Sequence, residues 1–324
     1  MASESGRSRS PPPRDRSGQA QPEPAATVEH DVEAAHRLRR DYAPPRQSKF
    51  RVAALLRFTR QDGSMGTIGA VNAEPHDANI RGAICAERAA LCRFQREEAD
   101  RGSRVRRVVC VTDADAPIFP GPLCREFLTA TCEPDVEVVA AGTGDSKTLV
   151  QPLRELLPLP SIYRRGDQDS MKALGSKLGA TAGAPAGGPL AAAYTAAVAL
   201  ARRQEAQAAV FPVLFAAAVV FGDGRVHSAA ELKGIEYGCT VDAVSLLLPE
   251  MLRSREDVDM PSVFIVQADN FGLAHAPFAA ARSLLMEHGF GDVKVCAHTD
   301  DGRWAAPIAV RESLPFSNFT ELFA

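Results

Sequence analysis

Apolar positions Val28, Val32, Ala35 and Leu38 recur at helical spacing with charges between them, so residues 28–40 read as an amphipathic helix. The run Tyr42-Ala43-Pro44-Pro45 ends it, because proline brings no amide donor to the helix ladder. Residues 50–58 are mostly apolar and lead into Asp62-Gly63, a turn pair, so they read as the first arm of a hairpin. Its second arm runs over 68–73. Residues 85–94 are rich in Ala, Leu and Arg and read as a helix. Residues 107–112 read as a buried strand, a Pro/Gly-broken loop follows over 116–122, a helix begins near Leu123, and 136–140 is a further strand. That order predicts an α/β fold of three layers, α/β/α, with a mixed sheet between helices.

Past residue 160 the pattern changes. The stretch Gly-Ala-Thr-Ala-Gly-Ala-Pro-Ala-Gly-Gly-Pro, residues 179–189, has the composition of a flexible linker, placed at 166–190. The first pattern then returns. A shift of 161 positions lays Phe50 on Phe211, Val52 on Val213, Asp62 on Asp223 and Gly63 on Gly224. The segment beginning at Cys239 mirrors the one beginning at Cys85, which puts Val241 opposite Glu87. The predicted organisation is a disordered tail over 1–27, a first domain over 28–165, the linker, and a degenerate repeat of the first domain over 191–324.

Composition narrows the function. Of 324 residues, 45% are hydrophobic and 24% charged, the balance of a soluble globular protein. A formal net charge of −3, 6% aromatics and a single Trp argue against a nucleic-acid partner, which calls for basic surfaces and stacking platforms. The longest apolar run, 208–221, is shorter than the roughly 18–20 residues that span a bilayer, so no membrane partner is expected. Seven cysteines, an odd number in a long chain, predict free thiols and a cytoplasmic location. The arginines of the tail, Arg7, Arg9, Arg14 and Arg16, keep company with Glu4 and Asp15 and form no amphipathic face. The run Arg104-Val-Arg106-Arg107 reads as a solvated strand entrance.

The chemistry concentrates in Cys85-Ala86-Glu87-Arg88 and Phe119-Pro120-Gly121-Pro122-Leu123-Cys124-Arg125. A Cys opening one helix and a Cys near the start of another can converge on one ion, and helix N-termini favour thiolates. Glu87 stands two residues past Cys85, near a metal without having to bind it.

These segments resemble the cytidine deaminase family, whose signature is Cys-or-His-x-Glu followed by Pro-Cys-x-x-Cys. Tyr42-Ala-Pro-Pro45 with Ser48-Lys-Phe50-Arg-Val52, Gly69-Ala-Val-Asn72-Ala-Glu74, and Leu153-Arg-Glu-Leu-Leu157-Pro158 are similar to further family segments, in order. The resemblance covers about residues 28–165, and the second half resembles the non-catalytic repeat of the two-domain members. It implies a duplicated cytidine-deaminase-like fold, Zn2+ held by Cys85 and Cys124, and Glu87 as the proton carrier. It implies further that Phe50 packs near the base, that Asn72 and Glu74 bind the ribose hydroxyls, and that backbone groups at Ala86 read the pyrimidine edge. The reaction implied is hydrolytic deamination of cytidine or deoxycytidine, within a homodimer. One position departs from the pattern. Gly121 stands where the family has a zinc-ligand Cys. Either Cys110, Cys132, His76, Asp113 or Asp115 replaces it, or two thiolates suffice, or metal and activity are lost.

Overall fold

The computed structural model describes residues 27–75, 82–98, 101–144, 148–163, 167–204, 210–234, 240–255 and 262–317. The tail expected over 1–27, His76 and Cys239 lie outside them, apart from Thr27. In chain order the elements are α1 (Val28–Arg40), β1 (Val52–Thr59), β2 (Met65–Val71), α2 (Ala86–Glu97), β3 (Arg104–Thr112), α3 (Pro122–Thr131), β4 (Glu137–Ala141), β5 (Leu149–Pro152) and α4 (Leu153–Leu156). There follow α5 (Gln168–Gly179), α6 (Gly188–Arg202), β6 (Phe215–Phe221), β7 (Val226–Ala230), α7 (Ala243–Arg255), β8 (Ser262–Asp269), β9 (Ala274–His275), α8 (Ala279–Glu287), β10 (Lys294–Cys296) and β11 (Ile308–Ala309).

The strands form two mixed sheets with one topology. The first runs β2-β1-β3-β4-β5 and the second β7-β6-β8-β10-β11, with β9 added beside β8. In each, the third and fourth strands of that order are parallel and the remaining neighbours antiparallel. Alternation along β1 explains the layers. Ala54, Leu56 and Phe58 face α2 in one core, while Ala53 and Leu55 face α1 in another. This is the expected mixed sheet between helices, present twice. Beneath α1, the fully buried Asp31 accepts from Arg57 (2.8 Å) and Arg107 (2.9 Å), which holds its carboxyl below the usual range against the cost of burial.

The repeat register differs from the uniform shift of 161. That shift holds at the hairpin turn, where Gly63 and Gly224 both take left-handed φ values of 81° and 86°. In the strands the counterpart of Val52 is Phe215, since Val52 pairs with Thr112 and Phe215 with Asp269. The second hairpin is two residues shorter on each arm. An even offset keeps every side chain on its face, which is why the hydrophobic pattern still matched.

The linker expectation is corrected. Residues 168–179 are a helix, capped by Asp167, whose carboxylate accepts from Ser170 N at 2.8 Å. Its glycines serve close packing. A Cβ on Gly175 would lie 2.5 Å from the Phe271 ring, and one on Gly179 would lie 2.2 Å from Phe271 O. Helix α6 likewise begins inside the segment, at Gly188.

Two buried arginines tie the halves together in matching fashion. Arg125 donates from Nε to Pro120 O (2.7 Å), from Nη1 to Leu156 O (2.8 Å) and Pro315 O, and from Nη2 to Phe316 O (2.8 Å). Arg282 donates to Pro277 O (2.6 Å), to Ser313 O and Pro158 O (2.7 Å each), and to Leu159 O (2.6 Å). Each guanidinium therefore clasps carbonyls of its own half and of the other. Glu126 adds a cap across the boundary, accepting from Ala279 N at 2.8 Å at the start of α8.

Candidate active site

Helices α2 and α3 aim their N-termini at one point, and their sequences decide what arrives there. Cys85 is the N-cap of α2, Glu87 sits in its first turn, and Cys124 lies in the first turn of α3. One donor atom from each of the three comes within 4.8 Å of the others. Cys85 and Glu87 line a cavity of about 200 Å³, and Cys124 stands beside them. Phe50, Val52, Ile118 and Phe119 give it apolar walls, and Asn72, Glu74 and Thr112 contribute polar ones.

The electrostatics of this cluster make Cys85 the more acidic of the two thiols. The hydrogen bond from Cys124, with help from the Arg88 guanidinium and against burial, lowers Cys85 to about 5. Cys124 correspondingly holds its proton, pushed up by that hydrogen bond and by burial. Arg88, three residues on, is fixed by Nη2 donating to Ala83 O (3.3 Å) and to Cys85 Sγ (3.6 Å). Burial and then the neighbouring Cys85 charge raise Glu87 to about 6. Its Oε1 accepts from Cys110 Sγ at 3.8 Å, and burial pushes the Cys110 thiol up.

The expected residues fall into two groups. Cys85, Glu87 and Cys124 meet, and Phe50, Asn72 and Glu74 line the same cavity as Cys85 and Glu87. Ala86 is fully buried and is not among the lining residues, which include its neighbours Cys85 and Glu87. Asn72 also has a structural task. Its Oδ1 accepts from Val52 N (2.8 Å) and its Nδ2 donates to Phe50 O (2.9 Å), leaving, among the described residues, one N–H and one lone pair. Glu74 is held by Ser48, accepting from its N (3.0 Å) and its Oγ (2.7 Å).

The zinc question turns on the donor set. Two cysteines and a buried carboxylate suit a thiophilic divalent ion. The third protein position falls to Gly121, the N-cap of α3, which lines the cavity and whose added Cβ would meet nothing within 4 Å. Among the described residues, the suggested replacements divide. Asp113 is committed to Arg39 (2.7 Å) and Arg51 (3.0 Å), Cys132 is buried in the core, and only Cys110 reaches the site, through Glu87. The residues fit the ion in two thiol positions, with a free flank at Gly121.

Sequence reasoning gave Arg88, Thr112 and Ile118 no role. Arg88 could have been found, since i and i+3 share a helix face and place it beside Cys85. Thr112 reaches the cavity through the strand pairing, and Ile118 through the loop between β3 and α3.

In the second half the structure corrects the alignment. Asp242 occupies the cap position of Cys85, with Oδ1 accepting from Ser245 N at 2.9 Å, and Val244 therefore stands at Glu87. Phe278, the N-cap of α8, replaces Gly121, and Ala281 replaces Cys124. Val244 thus stands where the first half has Glu87, in place of the Val241 expected from the sequence.

No family model matches the chain, and no curated protein does. Among solved structures, the chain is similar to a cytidine deaminase from Burkholderia pseudomallei, at 28% identity and a TM-score of 0.35, over 42% of this chain and 100% of that one. It is similar to the one from Mycobacterium leprae at 27% identity and a TM-score of 0.32, over 41% and 99%. It is similar to the one from Bacillus anthracis at 18% identity and a TM-score of 0.30, over 40% and 86%. Among the described residues, no helix is long and apolar enough to cross a membrane.

Proposed function

We propose that the first half hydrolytically deaminates cytidine or deoxycytidine to the corresponding uridine. The observation that carries this reading is the convergence of Cys85, Glu87 and Cys124 beside a cavity whose wall carries Asn72 and Glu74. The apolar side, with Phe50, Val52 and Phe119, suits a flat pyrimidine. Asn72 keeps a donor and an acceptor for a ribose hydroxyl, and Glu74 is oriented by Ser48.

Zinc held by Cys85 and Cys124 would act as a Lewis acid and lower the pKa of a water. Glu87 is the group that moves protons. It takes one from the attacking water, delivers it to N3 of the base, and assists departure of the C4 amine as ammonia. Its raised pKa, about 6, suits both directions of transfer near neutrality. Arg88 balances the thiolate charge beside it. Free thiols at the described cysteines agree with the cytoplasm, and the homodimer is part of the same reading.

Gly121 favours a second reading, a deaminase-like chain that holds a nucleoside without turning it over. Zinc-loaded full-length protein supplied with cytidine separates them. Ammonia release in step with uridine supports the deaminase. Saturable cytidine retention without ammonia overturns it in favour of the second reading.

A further inference from the structure

We propose that the end of the first sheet opposite the cavity is a binding site for a small ligand bearing two or more phosphoryl groups. A cleft of about 470 Å³ lies there, lined by Arg60, Arg104 and Arg106 together with Gln61, Gly102 and Ser103. Val52 at one end of β1 lines the candidate active site and Thr59 at the other lines this cleft, about 23 Å away along the strand. The ligand is thus independent of the nucleoside.

The three cations are only partly neutralised. Arg60 is braced by Glu98 (3.0 Å from Nη2), which also faces Arg101 at 3.9 Å. Asp62, on the turn beside it, accepts from Ser64 N. Arg106 uses Nε on Thr59 Oγ1 (3.2 Å), and among the described residues its two terminal nitrogens have no hydrogen-bond partner. Arg104 makes no hydrogen bond or ion pair among the described residues. Two exposed guanidinium groups from one strand and a third held rigid from the next can fork onto more than one oxyanion.

The fold itself does not ask for these arginines. Between Arg57 and Phe58 the ladder shifts register, so Arg106 is the extra residue of a β-bulge, a device that re-aims a side chain. The second sheet repeats the bulge between Val220 and Phe221, and there the extra residue is Val263. At the turn, Phe221 accepts from Gly224 N as Arg60 does from Gly63 N, so a Phe stands in the place of Arg60. The second, shorter hairpin thus carries Phe221 and Val263 at the places of Arg60 and Arg106. At these two positions, among the described residues, the cation belongs to the first half.

The test is calorimetric titration of the full chain with pyrophosphate, adenosine triphosphate and a single-stranded oligonucleotide, without pyrimidine nucleoside present. The proposal expects pyrophosphate and the triphosphate to bind. It expects Arg104→Gln/Arg106→Gln to weaken both by about tenfold or more per arginine, with melting unchanged. Arg253→Gln/Arg303→Gln, which removes two exposed arginines elsewhere, should bind like the parent. Equal affinity for the two small probes would mean that only phosphates are read, and a tighter triphosphate that the nucleoside adds contacts. No binding of either small probe, binding unaltered in the Arg104/Arg106 variant, an equal loss in the control variant, or binding confined to the oligonucleotide would overturn it.

Discussion

The two halves share a sheet order and a clasping arginine, yet one holds a cavity and the other a packed core at the same place. In the first half the site is Cys85, Glu87, Cys110, Gly121 and Cys124. Through the shared register, Asp242, Val244, Gln267, Phe278 and Ala281 stand at the corresponding positions. The largest difference is steric. Gly121 leaves open space, whereas Phe278 packs edge-on against Phe215 at 5.1 Å, and Phe215 does the same to His275 at 5.3 Å. Asp269, at the place of Thr112, is buried and satisfied by Tyr163 (2.6 Å) and His275 (2.9 Å). The second half has exchanged site chemistry for aromatic packing. What both halves keep, Arg125 and Arg282, is what joins them. The shared arginines join the halves, and the residues that differ separate the cavity from the aromatic packing.

That comparison can be broken most severely at Glu87. Glu87→Gln should lower cytidine turnover by about 10²–10⁴-fold, the usual worth of a proton-transfer group. Val244→Glu should leave turnover unaltered, since among the described residues the cluster of thiols and carboxylate is at Cys85, Glu87 and Cys124.

Removing either clasp should destabilise the whole chain. Arg125→Ala and Arg282→Ala each remove the donor from two buried and two part-buried carbonyls, at a cost of about 3 kcal/mol, readable as a fall in urea midpoint. The two losses should be alike in stability. Only Arg125→Ala should also weaken nucleoside binding in the residual folded protein, because Arg125 holds Pro120 beside Phe119 and Gly121.

Importing the second half's residue into the first is gentler. Gly121→Phe should fold, since φ is −63° and the added atoms point into open space, yet should weaken cytidine binding by roughly 100-fold by filling the cavity. Smallest is Gly121→Cys, which completes three thiol positions. Zinc affinity should rise by about tenfold or more, measured by competition with a chelating dye. No rise would mean that this flank does not face the ion.

Much of the architecture was legible in the sequence because burial imposes periodicity. The apolar run in 50–58 reported a strand buried on both faces, and the helical spacing in 28–40 reported a real helix face. The site was legible where residues are adjacent in sequence, as with Cys85 and Glu87. It was illegible where strand pairing brings the residue in, as with Thr112, and where an insertion shifts the register, as with Asp242 rather than Cys239. Helix α5 was missed because its glycines, Gly175 and Gly179, signal flexibility by composition and close packing by context.

The central claim, that the first-half cavity is a deaminating site, is tested most directly by following ultraviolet absorbance as zinc-loaded full-length protein meets cytidine. A steady fall with the wild type that disappears in Glu87→Gln is the predicted result. A folded, zinc-loaded wild type that leaves the absorbance unchanged, or a Glu87→Gln variant that lowers it at the wild-type rate, would contradict the claim.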